Sequence, residues 1–231
     1  MKILITGSNG LLGQKLLHKL RQDFSVELIA TSKGENRVSN KDCYTYFDLD
    51  ITDNDAIAKL ISREKPQVVI NTAAMTNVDL CEDEKQDCDA LNVEAVRHLA
   101  DACEKIDSHL IQISTDFIFD GEDGPYKEED EPNPLSYYGL SKLKSEQVLQ
   151  AHSVKWTILR TIIVFGVGEK LIKGNIVLWA KGALEKGDPL NIIDDQFRAP
   201  TLAEDLADIC ILAAKKKAFG VFNASGKDIM S

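Results

Sequence analysis

A chain of 231 residues is long for one domain and short for two, so one large domain or a domain with a small lobe is expected. Hydrophobic residues make up 44% and charged residues 28%, an ordinary globular balance, and no apolar run reaches the roughly 18 residues that a membrane span needs. The net charge of −10 repels phosphate backbones, which argues against nucleic acid as a partner but leaves room for a local pocket that takes a phosphate-bearing ligand.

The first seven residues, broken early by Gly7, are too short for a signal peptide. The cysteines (Cys43, Cys81, Cys88, Cys103 and Cys210) form no Cys-x-x-Cys and read as reduced thiols. A cytoplasmic protein without membrane attachment and without a metal site is expected, and a homodimer is left open.

In chain order, Lys2 to Thr6 reads as a strand and a glycine-rich turn follows it. Leu11 to Leu20 reads as a helix with Leu12, Leu16, Leu17 and Leu20 on one face. Val26 to Ala30 and Tyr44 to Phe47 read as strands. Thr52-Asp53-Asn54-Asp55 matches a capping box that opens a helix towards Arg63. Gln67 to Asn71 is a strand of the buried, non-alternating kind. A helix from about Cys88 to Glu104, a strand from His109 to Ser114, a helix from Tyr138 to Ala151 and a strand from Trp156 to Arg160 follow. Gly121 to Pro134 is an acidic, proline-bearing surface loop.

Strand and helix alternate five or six times, which predicts an α/β fold: a doubly wound parallel sheet of the Rossmann type. Residues 1–165 read as the dinucleotide-binding domain. Beyond Gly166 the alternation weakens, and 166–231 reads as a smaller substrate lobe interleaved with the end of the sheet.

Gly7-Ser8-Asn9-Gly10-Leu11-Leu12-Gly13 spaces its glycines three and three, after a strand and into a helix. Gly7 permits the tight turn, Gly10 the approach of a pyrophosphate, and Gly13 close packing of helix on sheet. The helix N-terminus offers N–H groups to the phosphates. At the end of the second strand stand Thr31-Ser32-Lys33, with Arg37 nearby and no acid at the tip. Hydroxyls and cations there favour NADPH over NADH as cofactor. After the third strand, Asp48 or Leu49 either lies against the adenine or closes a loop.

Tyr138-Gly139-Leu140-Ser141-Lys142 sets a phenol and an ammonium one turn apart on one helix face. A lysine charge near the phenol is expected to lower its pKa from about 10 and fit it for proton transfer. Thr115 ends the preceding strand, where its hydroxyl can bond a substrate carbonyl beside Tyr138. Thr72, Ala73 and Ala74 end the strand before that, small enough to let a cofactor lie flat.

With Asn71 to Asp79, Leu91-Asn92-Val93, Ser114 to Gly121, Leu159-Arg160-Thr161 and Asp195-Gln196…Pro200-Thr201…Asp205-Leu206-Ala207, these motifs resemble the extended short-chain dehydrogenase/reductase family, in its dTDP-4-dehydrorhamnose reductase branch. The resemblance implies NADPH-dependent reduction of the C4 keto group of a nucleotide-linked deoxy sugar. It implies Tyr138 as proton donor, Lys142 as its tuner and as holder of the nicotinamide ribose, and Thr115 as orienter of the carbonyl. Asn92 either supports a water relay behind Lys142 or packs helices. Met75, Thr76, Val78, Asp116 and Phe117 match positions near cofactor and sugar, Thr76 near both. Arg198 either meets the nucleotide diphosphate or forms a surface salt bridge. Phe117 stands where many relatives have tyrosine and Ile163 where many have tryptophan. The family pattern continues past Ser231, so a fragment is expected. Two rivals share the motifs: a sugar-nucleotide epimerase, and a non-catalytic NADP-binding subunit like the beta subunit of methionine adenosyltransferase.

Overall fold

The computed structural model describes residues 1–172 and 174–231. Seven parallel strands form the main sheet: β1 (Lys2–Thr6), β2 (Glu27–Ser32), β3 (Thr45–Asp48), β4 (Val68–Asn71), β5 (His109–Thr115), β6 (Lys155–Thr161) and, last in sequence, β9 (Gly220–Asn223). A short pair, β7 (Val164–Phe165) and β8 (Thr201–Leu202), lies outside it. The order is β3-β2-β1-β4-β5-β6-β9. The chain winds outward from β1 in one direction and from β4 in the other, so a crevice opens at the carboxyl ends of β1 and β4.

The strands are apolar without a break because both faces are covered. Ile3 and Ile5 of β1 face α1 (Leu11–Leu20) and α8 (Ala203–Lys216). Leu4, between them, faces α2 (Asn54–Glu64), α5 (Ala95–Glu104) and α6 (Tyr137–Gln150). The leucine stripe expected on the first helix is that contact: Leu12, Leu16, Leu17 and Leu20 are all in the core.

The expected elements are present, with differences that have local causes. Asp53, not Thr52, caps α2: its carboxylate accepts from Ala56 N at 3.0 Å, while the Thr52 hydroxyl donates to Asp50. Two short helices, α3 (Val78–Asp83) and α4 (Lys85–Asp89), precede α5 and were not expected as separate pieces. A π-helical stretch, Ala90–Glu94, joins α4 to α5, so the expected helix of 88–104 is not regular throughout. In the second part of the chain, α8 packs on α1 and β9 pairs with β6, which returns residues 203–223 to the main sheet. Helix α7 (Ile176–Lys186) buries none of its residues. No described helix is long and apolar enough to cross a membrane.

Candidate active site

The turn after β1 is built for close approach. Gly7 has φ +69°, and a Cβ there would stand 2.7 Å from Ala73 N, at the end of β4. A Cβ on Gly13 would stand 2.4 Å from Gly7 O, so only glycine lets α1 lie against the turn. Gly10 is exposed and caps α1 without a side-chain acceptor, and the first turn has no acid. The N–H groups of that turn therefore keep their capacity for an anion. Leu11 contributes backbone there, and Leu12 packs its side chain in the core. Ser8 is buried, and its hydroxyl has no hydrogen-bond partner among the described residues. Uncapped helix, glycine cradle and orphaned hydroxyl fit a dinucleotide pyrophosphate.

Asn9 turns away from that cradle. Its amide donates to Glu35 O at 2.8 Å and accepts from Arg37 N at 2.9 Å, pinning the loop after β2. Several residues expected to select the cofactor are engaged elsewhere. Thr31 is buried, with its hydroxyl on Ile5 O. Leu49 lies in the core. Asp48 closes the loop by accepting from Gly34 N at 2.7 Å. Lys33 pairs with Asp50 at 2.7 Å. Ser32 remains partly exposed, and Arg37 is the cation of the set with no ion-pair partner among the described residues.

A buried polar row crosses the sheet beneath the crevice. Thr6 donates to Asn71, Asn71 to Gln112 at 2.7 Å, and Gln112 to Ile113 O at 2.9 Å. Ile113 O also accepts from Lys142 Nζ at 2.7 Å. Thr72 ties β4 to β1 through Thr6 O at 2.6 Å, and Ala73 and Ala74 follow it at the crevice. Asn92, in the π stretch, brackets Met75: its oxygen accepts from Met75 N at 2.8 Å and its amide donates to Met75 O at 3.0 Å. The same amide donates to Ser141 Oγ on α6 at 2.9 Å. These bonds tie the π stretch to Met75 and to α6. Thr76 and Val78 follow Met75 into α3, which Asn77 caps.

Ser136 caps α6, and the helix carries Tyr138 and Lys142 to the end of β5. Lys142 is 2% exposed, and burial lowers its pKa to about 8, with Glu146 opposing. Burial likewise raises Tyr138 well above the ordinary phenol value. The Thr115 hydroxyl opposes this, and the Asp116 charge adds to it. The expected lowering of Tyr138 by Lys142 is therefore not what this structure has: the ammonium is spent on Ile113 O, and desolvation dominates. Phe117 meets the Tyr138 ring edge-on, centroids 5.7 Å apart. Asp116 pairs with Arg198 at 2.5 Å, and that guanidinium lies 5.2 Å from the Phe117 centroid. Arg198 thus forms its ion pair beside Thr115 and Tyr138.

Three features were missed in the sequence. Gly139 lets α6 touch the turn after β5: a Cβ there would stand 2.1 Å from Phe117 O. Glu146, four residues past Lys142, forms a buried pair with Arg160 and accepts from Ser114. Its position at i+8 from Tyr138, on one helix face, was the available signal. Ile163 has φ +36°, rare for a β-branched residue, and such strain gathers at functional sites.

The model of the RmlD substrate binding domain matches residues 1–231. A dTDP-4-dehydrorhamnose reductase of Aggregatibacter actinomycetemcomitans is 34% identical over all of this chain and 75% of its own length. The methionine adenosyltransferase 2 subunit beta of Bos taurus is 30% identical over all of this chain and 68% of its own. Among solved structures, a dTDP-4-dehydrorhamnose reductase of Clostridium acetobutylicum superposes with a TM-score of 0.88 at 37% identity, covering all of this chain and 76% of that one. One from Bacillus anthracis, in complex with NADP, gives 0.84 at 26%, covering all of this chain and 76% of that one. With a Rossmann-type sheet, a glycine cradle and the Thr115, Tyr138 and Lys142 group in place, the chain belongs to the RmlD substrate binding domain family.

Proposed function

We propose that this protein is an NADPH-dependent reductase of the C4 keto group of a nucleotide-linked 4-keto-6-deoxy sugar, with dTDP-4-dehydrorhamnose as substrate and dTDP-L-rhamnose as product. The observation that carries the reading is the convergence of Thr115, Tyr138 and Lys142 at the carboxyl end of β5, one strand from the end of β4 that touches Gly7. Likeness to named reductases at 34% and 37% identity supports it.

The uncapped start of α1 would hold the pyrophosphate, and Arg37 with Ser32 the 2′-phosphate; NADH would lack that contact. Bound NADPH supplies a hydride. Tyr138 keeps its proton at neutral pH because burial raises its pKa, and so stands as the acid that protonates the oxygen at C4. Thr115 bonds the same oxygen. Lys142 holds the nicotinamide ribose, and its charge eases departure of the Tyr138 proton once the ammonium is drawn from Ile113 O. Met75, Thr76, Val78, Asp116 and Phe117 line the sugar side, and residues 166–202 with 224–231 form the substrate lobe.

The test is loss of NADPH absorbance on adding dTDP-4-dehydrorhamnose, with the product identified by mass spectrometry. A second reading, a non-catalytic NADP-binding subunit, is favoured by the 30% identity to the methionine adenosyltransferase subunit. No turnover, together with a copurifying methionine adenosyltransferase, would establish it instead.

A further inference from the structure

Thr115, the group given the substrate oxygen, has a carboxylate as its neighbour. Its hydroxyl donates to Asp116 Oδ1 at 3.1 Å and accepts from Phe117 N at 3.2 Å. A carboxylate there is badly placed for a reduction, because hydride transfer to a carbonyl builds negative charge on its oxygen. Two negative charges a few ångströms apart in a poorly solvated site repel each other, and an ionised carboxylate also draws the Thr115 proton away from the substrate. The other oxygen, Asp116 Oδ2, accepts from Arg198 Nη1 at 2.5 Å. That guanidinium is held in place from several sides. Its Nη2 donates to Gln196 Oε1 at 3.1 Å, its plane lies by the Phe117 ring, and the Arg198 backbone pairs with Met230 through two bonds of 2.9 Å.

We propose that Arg198 is a positioning residue for the reduction: by pairing with Asp116 Oδ2 it compensates the carboxylate beside Thr115 and Tyr138, and so weakens both the pull of Asp116 on the Thr115 hydroxyl and its repulsion of the developing alkoxide. This rests on the reductase reading. The charged and titratable groups facing Asp116 are Arg198, which pulls its pKa down, and Tyr138, whose phenol the Asp116 charge raises; burial pushes Asp116 up and is the larger influence. Without Arg198 the carboxyl therefore takes up its proton at higher pH.

The test compares wild type with Arg198→Met, Arg198→Lys and the double variant Asp116→Asn/Arg198→Met, reading kcat and KM for NADPH and dTDP-4-dehydrorhamnose across pH. Arg198→Met is expected to lose about tenfold in kcat near neutrality, with KM changed less, and to recover as pH falls and Asp116 protonates. Arg198→Lys should keep much of the rate, which guards against a variant that merely misfolds. The double variant, with no carboxylate to compensate, should be faster than Arg198→Met and should lack its pH dependence. A purely structural role predicts neither the recovery nor the rescue. In parallel, carbon NMR of the Asp116 carboxyl in ligand-free protein should show it titrating about one pH unit higher in Arg198→Met. Turnover with an unshifted Asp116, or a double variant no faster than the single, overturns the role given to Arg198. A shifted Asp116 with no wild-type turnover overturns the reductase reading and the proposal with it.

Discussion

Glu146 of α6 and Arg160 of β6 form an ion pair at 2.7 Å, with side chains 1% and 5% exposed, one helical turn from Lys142. Ser114 donates to the same carboxylate, and Arg160 also donates to Glu128 O at 2.9 Å. The pair joins α6 to β5 and β6, at whose ends Thr115, Tyr138 and Lys142 gather. Removing one partner strands a buried charge. Glu146→Gln is therefore expected to lower unfolding free energy by roughly 3–5 kcal/mol in urea titration. A loss under 1 kcal/mol would show that the pair is solvated and does not hold the helix.

Gly13 tests the cradle. An alanine methyl would meet Gly7 O and Ser8 Cα, both backbone, so the helix must move. Gly13→Ala should weaken NADPH binding by about tenfold or more and cost roughly 1–3 kcal/mol of stability. Calorimetric titration reads the first effect and denaturant unfolding the second; unchanged affinity would place the pyrophosphate elsewhere.

Arg37 tests the choice of cofactor. Arg37→Ala should raise the Kd for NADPH by about tenfold and leave that for NADH nearly unchanged, since only the former has a 2′-phosphate for the guanidinium. Equal losses for both would remove Arg37 from the 2′-phosphate site.

His109 gives the fold a pH dependence. It is buried at the start of β5, with Thr157 on Nε2 and Phe219 edge-on at 4.9 Å. Burial, aided by Lys155 and Lys217, lowers its pKa from 6.5 to about 4. The unfolded chain binds the proton first, so stability is lost as pH falls from about 6.5 to 4, by at most about 3 kcal/mol. His109→Gln should flatten the unfolding free energy over that window relative to wild type. An identical slope in both would show that His109 titrates normally.

What the sequence reveals here follows from periodicity. The leucines of α1, the unbroken apolar β1 and β4, the glycine turn and the Tyr138–Lys142 spacing are all local patterns, and each stands where the pattern puts it. What it hides depends on distant partners. Leu49 and Thr31 look available in sequence but are consumed by the core and by Ile5 O. Lys142 is drawn to Ile113 O by a polar row on three strands, which no spacing discloses. Helix α8 carries Leu206, Ala207, Cys210, Ala213 and Ala214 at helical intervals, a local pattern that the reading of 166–231 as a weakly alternating lobe passes over, and its return to α1 depends on that distant partner.

In the proposed reduction Tyr138 delivers the proton. The most direct measurement is the single-turnover rate of NADPH oxidation with dTDP-4-dehydrorhamnose, wild type against Tyr138→Phe, with NADPH affinity checked in both. The Tyr138→Phe rate is expected to be lower by roughly 10²–10⁴-fold with affinity retained. Equal rates in the two proteins would contradict it.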